Sequence, residues 1–215
     1  MAMDKNVLES KIGILGGTFN PIHRGHLRMA QEAYKKFDLD KVLFVPSYLP
    51  PHKSSEDLVN TSHRMTMLER AIKGDSRFEA SALELEREGV SYSIDTIKEL
   101  HGVYPQSELF FIIGSDTLFQ LYTWKNIRSL LELCTFITYP RCGFEIDTII
   151  AEVLKLDPPW PEKLKTYMLT ENFIEISSRQ IRKHVAEGKS IRYLVPIDIE
   201  NYIHKQNLYR GDLND

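Results

Sequence analysis

The chain is predicted to be an α/β protein: a doubly wound, mostly parallel sheet with helices on both faces and a helical C-terminal end. Three observations carry this. Unbroken apolar runs of strand length recur along the chain, as parallel strands covered on both faces require. Between them lie segments whose apolar residues repeat at i, i+3 and i+4, the helical period. The first run ends in paired glycines and leads straight into a helix start, which is how parallel strands are connected.

Element by element, Lys11 to Leu15 reads as a buried first strand, followed by Gly16 and Gly17, which are read as letting the chain turn sharply. From about His23 the pattern is helical, with Leu27, Ala30, Ala33 and Tyr34 on one face. Lys41 to Pro46 is a second buried strand, stopped by proline. A polar loop from Ser47 to Ser62 contains Pro50-Pro51-His52-Lys53, and Ser62 is the expected N-cap of a helix through Met65, Leu68 and Ile72. Phe78 to Leu85 alternates weakly, as a strand would, and Ser93 opens a helix through Ile94, Ile97 and Leu100. Glu108 to Ile113 is a strong buried strand closed by Gly114-Ser115-Asp116. Helical segments through Leu118 and Leu121 and from Ile127 to Leu131 precede a strand at Thr135 to Tyr139. Ile146 to Leu156 reads as helical and Tyr167 to Ile176 as a short extended segment. Helices from Ser178 to Glu187, capped by Gly188, and from Pro196 to Lys205 close the chain. Residues 1–215 are therefore expected to be one domain, with a Rossmann-like sheet core over 11–176 and a helical end over 177–210.

Composition narrows the function. At 215 residues, with 42% hydrophobic and 27% charged residues, the chain matches an ordinary globular protein. A net charge of −3 with interspersed signs lacks the basic stripe of a nucleic-acid surface, so no nucleic-acid partner is expected. The polar N-terminus has no apolar h-region, and no run approaches the ~18 apolar residues of a membrane span. A cytoplasmic protein without membrane contact is expected. Cys134, in the run Leu133-Cys134-Thr135-Phe136-Ile137, reads as a core thiol, and with Cys142 it forms no disulfide or metal framework.

The chemistry is concentrated in Gly16-Gly17-Thr18-Phe19-Asn20-Pro21-Ile22-His23-Arg24-Gly25-His26. His23 and His26 fall at a helix N-terminus, where free N–H groups and the positive end of the helix dipole favour anions. A spacing of three puts both imidazoles on one face. Strand, glycines, imidazoles and helix end together predict a phosphate site. It has neither the Gly-Lys-Ser/Thr of a Walker A loop nor the G-x-G-x-x-G dinucleotide fingerprint. The His-x-x-His pair would also suit zinc, but no Cys-x-x-Cys or His-Glu-x-x-His accompanies it, and no protein-held metal is expected. Alone, the pair is also compatible with two surface histidines on a core helix.

A second segment has the same design: Ile176-Ser177-Ser178-Arg179-Gln180-Ile181-Arg182. Ser177 and Ser178 are N-cap residues by type, and Arg182 lies one turn in. By itself this is an ordinary capped helix with a surface arginine; beside the first motif it becomes a second phosphate-binding helix end. Ligands of such sheets bind beyond the carboxyl ends of the strands, where both segments fall.

These two segments together resemble the HxGH nucleotidyltransferases. The first resembles G-G-T-F-[DN]-P-x-H-x-G-H, with His23-Arg24-Gly25-His26 as HxGH, and the second resembles I-S-S-T-x-I-R. Supported by Val45-Pro46, Pro50-Pro51-His52-Lys53, Ser91-Tyr92-Ser93, Phe111 to Asp116, Thr123-Trp124 and Leu208-Tyr209-Arg210, the likeness runs from Lys11 to Tyr209 and is similar to the bacterial nicotinate-mononucleotide adenylyltransferase family. The resemblance implies that Gly16, Gly17, Thr18, Phe19, His23 and His26 hold the phosphates and ribose of ATP. It implies that Gly114 and Asp116 contact sugar hydroxyls, and that Ile176, Ser177, Ser178 and Arg182 serve the adenine side and polyphosphate. Ser93, Trp124 and Lys125 would surround a pyridine ring, with His52 and Lys53 as further substrate contacts. Arg179 stands where the signature has threonine, and Ser93 where some relatives carry threonine.

The expected reaction moves AMP from ATP to nicotinate mononucleotide, giving deamido-NAD and pyrophosphate in NAD biosynthesis. His23, His26 and Arg182 are the expected catalytic residues. A phosphate is already a nucleophile at neutral pH, so the protein need only align it and stabilise charge. Mg²⁺ is expected to be carried in with ATP, since no acidic cage is evident. The partners are thus ATP and nicotinate mononucleotide, and a homo-oligomer is compatible with the sequence. Alternatives are a sibling transferase acting on phosphopantetheine or nicotinamide mononucleotide, and a nucleotide-binding regulator without turnover.

Overall fold

The apolar runs pair into one sheet. Strands β1 (Lys11–Gly17), β2 (Lys41–Pro46), β3 (Phe78–Ala80), β4 (Glu108–Gly114) and β5 (Thr135–Tyr139) are all parallel, in the order β3-β2-β1-β4-β5. The structure, a computed structural model, describes residues 10–51, 58–140, 159–169 and 176–211. β1 lies at the centre, with Gly17 beside Pro46 of β2 and Leu15 beside Ile112 of β4. The strand order reverses between β1 and β4, so the carboxyl ends of these two strands flank the crevice where doubly wound sheets bind ligands.

In chain order the helices are α1 (Arg24–Lys36), α2 (Thr61–Ile72), α3 (Leu83–Arg87), α4 (Ser93–Val103), α5 (Ser115–Leu118), α6 (Ile127–Leu133), α7 (Trp160–Thr166), α8 (Ser178–Ala186) and α9 (Ile197–Lys205). Side chains alternate along each strand, so every central strand feeds two cores. Leu15, Val42, Phe44, Phe110, Ile112 and Ile137 meet Ala30 and Ala33 of α1, Met67 and Leu68 of α2, Ile181 of α8, and Ile199 and Ile203 of α9. Ile12, Ile14, Leu43, Val45, Leu109, Phe111 and Phe136 meet Ile94, Ile97 and Leu100 of α4, Leu130 of α6 and Leu164 of α7. This is the predicted Rossmann-like, doubly wound α/β fold with helices on both faces.

Local details differ from the sequence reading where side-chain chemistry competes. The cap of α2 is Asn60, whose Oδ1 accepts the Ser62 N–H at 2.9 Å; Ser62 is already inside the helix. The segment Phe78 to Leu85 is not one strand: β3 stops at Ala80 and α3 begins at Leu83. Among the described residues β3 pairs only with β2, over three residues, and so has little ladder to extend. Trp160 to Thr166 forms a helix that no sequence signal suggested. The predicted helix at Ile146 to Leu156 lies outside the described residues, as do Cys142 and most of the extended segment predicted at Tyr167 to Ile176. Gly188 does end α8: at φ +67° it lets Lys189 N–H reach His184 O (2.8 Å) and Gly188 N–H reach Val185 O (3.1 Å), the paired bonds of a Schellman stop. Cys134 is a buried free thiol, as expected, with burial pushing its pKa up to about 12.

Candidate active site

The glycines at the end of β1 do not make the turn. Both remain in the strand, and Phe19 takes the left-handed conformation, with φ +47°. A bulky residue rarely holds that conformation. Here the ring is buried, 5.9 Å from Phe44 and edge-on at 5.0 Å from His26. Glycine serves closeness instead. Gly16 is exposed at the strand end, and a Cβ there would sit 3.4 Å from the Phe111 ring; one on Gly17 would sit 3.3 Å from Phe19. The bare backbone lets a ligand approach the sheet edge.

His23 is the N-cap of α1 and His26 is the third helical residue. The His23 N–H donates to His26 Nδ1 at 3.2 Å, so a neutral His26 carries its proton on Nε2. The two rings stack, with centroids 3.6 Å apart and planes inclined by 23°. Gly25 makes room for that stack, because a Cβ would lie 3.0 Å from both Cε1 and Nδ1 of His23. The same Cβ would be 3.6 Å from the Ile176 carbonyl, which brings the second motif to this point.

α8 docks its N-terminus on the loop after β1. Ser177 alone caps, its Oγ accepting the Gln180 N–H at 3.2 Å. Ser178, expected as a second cap, is already the first residue inside the helix and donates its hydroxyl to the Pro21 carbonyl at 2.8 Å. Arg182 Nη1 donates to the Asn20 carbonyl at 2.9 Å, and Tyr209 OH donates to Asn20 Oδ1 at 2.9 Å. Neither α1 nor α8 has an acidic residue in its first turn, so neither helix offsets the positive end of its own dipole. Arg179 is exposed at the same helix end.

Across the crevice, Gly114 ends β4 beside Tyr139, and Asp116 is exposed in the first turn of α5. Trp124 is half-buried and packs its ring edge-on to Phe111 at 6.0 Å, the same ring that faces Gly16. Ser93 is the first residue of α4. Lys125 reaches α4 too: its Nζ lies 2.9 Å from Asp95 Oδ2 and 4.4 Å from the centre of the Tyr92 ring. Its charge is therefore offset by a carboxylate. His52 and Lys53 lie outside the described residues. Among the described residues, no three His, Cys, Asp or Glu side chains come together as a metal cage.

Some residues of this region escape sequence reading. Asn20 accepts from Arg182, Tyr209 and the Val59 N–H, and only its place inside the first motif hints at that. Arg64 is buried beneath the loops, where burial lowers its pKa against an opposing electrostatic effect of Tyr209. Glu84, buried beside α4, has its pKa raised by burial, against hydrogen bonds from Thr96 and Ser91 that lower it. In sequence both look like helix-surface charges, and no local signal marks them as buried.

Residues 14–184 match the Cytidylyltransferase-like family. A Desulfitobacterium hafniense (strain Y51) protein named "Probable nicotinate-nucleotide adenylyltransferase" is 44% identical over 209 residues, covering 97% of this chain and 100% of the relative. A Halalkalibacterium halodurans protein of the same name is 45% identical over 202 residues, 93% of this chain and 91% of the relative. In three dimensions the fold resembles Plasmodium falciparum nicotinic acid mononucleotide adenylyltransferase complexed with NaAD, with a TM-score of 0.76 at 22% identity over 94% of this chain and 98% of that one. The same Plasmodium enzyme complexed with APC gives a TM-score of 0.75, again at 22% identity, covering 94% of this chain and 98% of that one. With that fold, the family match and these relatives define a nucleotidyltransferase. Within that class, the chain belongs to the Cytidylyltransferase-like family and to its nicotinate-nucleotide adenylyltransferase branch.

Proposed function

We propose that this protein transfers the adenylyl group of ATP to the 5′-phosphate of nicotinate mononucleotide, forming deamido-NAD and pyrophosphate. The observation that carries this reading is the convergence of two acid-free helix N-termini, those of α1 and α8, on the loop after β1. Two such ends with stacked imidazoles suit a polyanion better than a single phosphate. The curated relatives, alike over nearly the whole chain, carry the same activity in their names.

A phosphate oxygen of the mononucleotide attacks the α-phosphorus, a new P–O bond forms, and the bond from the α-phosphorus to the bridging oxygen breaks as pyrophosphate leaves. His26 would donate through Nε2 to the α-phosphoryl oxygens, the orientation that its Nδ1 contact favours. His23, Thr18 and Phe19 would line the triphosphate, with the bare backbone of Gly16 and Gly17 allowing close approach. Ile176, Ser177 and Ser178 would bound the adenine side, and Arg182 would meet the polyphosphate. Gly114 and Asp116 would contact sugar hydroxyls. Ser93, Trp124 and Lys125 would enclose the pyridine ring, with Trp124 stacking on it. His52 and Lys53 complete the proposed substrate contacts. Mg²⁺ would arrive bound to the triphosphate and neutralise part of its charge; the donors described around the phosphates suit anions, not a hard cation.

In this reading residues 1–215 act as one nucleotidyltransferase domain, since α8 and α9 share a core with α1 and α2. The use of ATP points to the cytoplasm, and no described helix is long and apolar enough to cross a membrane. Pyrophosphate release measured with ATP and a panel of nicotinate mononucleotide, nicotinamide mononucleotide and phosphopantetheine tests the proposal. Nicotinate mononucleotide is expected to be the best acceptor. Faster release with phosphopantetheine, or none with any acceptor, overturns it.

A further inference from the structure

Arg64 is the largest fully buried side chain among the described residues, 1% exposed in the first turn of α2. Its guanidinium donates to four backbone carbonyls. Nη1 reaches Thr18 at 2.9 Å and Ser47 at 2.6 Å, Nη2 reaches Tyr48 at 3.2 Å, and Nε reaches Val59 at 3.3 Å. Among the described residues no carboxylate pairs with it. A buried guanidinium stays charged, and carbonyl oxygens satisfy it without cancelling that charge.

The four carbonyls belong to three segments: the loop after β1, the loop after β2, and the entry to α2. The first two loops are also joined by the Ser47 N–H, which donates to the Gly17 carbonyl at 2.9 Å. The Tyr48 N–H in turn donates to Ser91 Oγ at 2.9 Å, two residues before Ser93. An unbroken chain of bonds thus runs from Thr18 through Arg64 and Tyr48 to Ser91. One end carries the phosphate motif and the other leads to the pyridine side.

We propose that Arg64 is a positioning residue for adenylyl transfer, holding the loop after β1 at a fixed separation from the loop after β2 so that the two reacting phosphates meet in line. This rests on the function proposed above. Lysine cannot replace it: three donors on a single nitrogen cannot reach four carbonyls arranged around a planar fork. A residue that served stability alone would lower the melting temperature and leave the turnover of folded protein unchanged.

The test compares Arg64→Lys, Arg64→Gln and Ser91→Ala with the wild-type chain, well below each melting temperature. Ser91→Ala cuts the same chain of bonds at its far end, losing with it the Ser91 hydrogen bond to Glu84, without emptying the core. Each substrate keeps its own contacts while their relative placement is lost. In the Arg64 variants kcat should therefore fall about ten- to a hundredfold, with both KM values moving less than about threefold. Ser91→Ala should show the same split with a smaller fall. Unchanged kcat in Arg64→Lys and Ser91→Ala, or a change in KM alone, overturns the proposal. Amide hydrogen exchange at Thr18 to Asn20 and at Ser47 to Leu49 provides a reading independent of the substrate. Faster exchange in both loops of Arg64→Lys, or of Ser91→Ala should the Arg64 variants not fold, supports the clamp, and unchanged exchange overturns it. A wild-type chain inactive on nicotinate mononucleotide would count against the function alone, while exchange would still decide the role of Arg64.

Discussion

The backbone N–H of His23 donates to Nδ1 of His26 at 3.2 Å, and the two imidazoles stack 3.6 Å apart. This contact does two jobs. It satisfies a donor at the start of α1, as the third residue of a capping box does, and it places the proton of a neutral His26 on Nε2.

His26→Asn should separate the two jobs. The asparagine oxygen can take over the contact with the His23 N–H, so stability should stay within about 1 kcal/mol of wild type. The Nε2 donor is gone, and kcat should drop by about 10²–10³, the usual cost of removing one such donor. Melting temperature and pyrophosphate release measured together check this, and near-wild-type turnover would remove His26 from the mechanism.

Gly25→Ala tests why the motif needs glycine. The added Cβ, 3.0 Å from the His23 ring, should push that imidazole out of the stack while the helix itself tolerates alanine. Turnover should fall by more than about tenfold, with little loss of helix content by circular dichroism. A fully active variant would show that the stack is not required.

Arg182 combines roles that the sequence kept apart. Its bond to the Asn20 carbonyl makes it part of the docking of α8 as well as a candidate phosphate ligand. Arg182→Ala should cost about 1 kcal/mol of stability and raise the KM for ATP. Arg182→Lys should recover only part of either, lacking the planar fork. Kinetics and thermal melts on both variants decide. Loss of stability with ATP kinetics intact would make the residue purely structural.

Nicotinate mononucleotide should exceed nicotinamide mononucleotide in kcat/KM by at least about tenfold, since turning an amide NH₂ towards a donor leaves groups unpaired at about 1–3 kcal/mol. Lys125 should contribute little, because its ammonium is already paired with Asp95 in a partly exposed ion pair. Lys125→Ala should therefore preserve most of the preference, as measured with both acceptors. Equal use of the two acceptors by wild type would sink the pyridine pocket, while leaving the transferase assignment standing.

Burial raises the Glu84 carboxyl above its ordinary 4.5, although Thr96 and Ser91 hydrogen-bond it in the opposite sense. The folded protein then holds a proton that the unfolded chain has released. Folding takes up that proton, and stability declines as pH rises from 4.5 through the raised value. Glu84→Gln keeps an acceptor for the Thr96 hydroxyl and cannot ionise. Its melting temperature should gain on wild type as pH is raised across that window. A difference that does not vary with pH would show that Glu84 does not titrate there.

Much of this architecture can be read from the chain because its signals are local. Lys41–Pro46 and Thr135–Tyr139 are apolar runs flanked by breakers, and both appear as strands with the predicted bounds. His23 and His26 fall on one helix end because a spacing of three dictates it, and Gly188 stops α8 because only a left-handed residue closes that turn easily. The strand order could not be read in this way. Neither could the choice of Asn60 over Ser62 as a cap, or the short extent of β3, since each depends on which neighbour supplies a partner.

The sequence by itself determined the fold class, the placing of His23 and His26 at the first helix end and the kinship carried by the two motifs, all of which follow from residues close together in the chain. The tertiary structure alone decided that Phe19, not a glycine, makes the turn, and that Ser178 and Arg182 fasten α8 to Pro21 and Asn20. It also buried Arg64 under four carbonyls. The physical reason is burial across long separations. Thr18 and Arg64, or Asn20 and Arg182, exchange hydrogen bonds only after the sheet has brought distant loops together, and a charged side chain gives no local sign that folding will surround it with backbone oxygens.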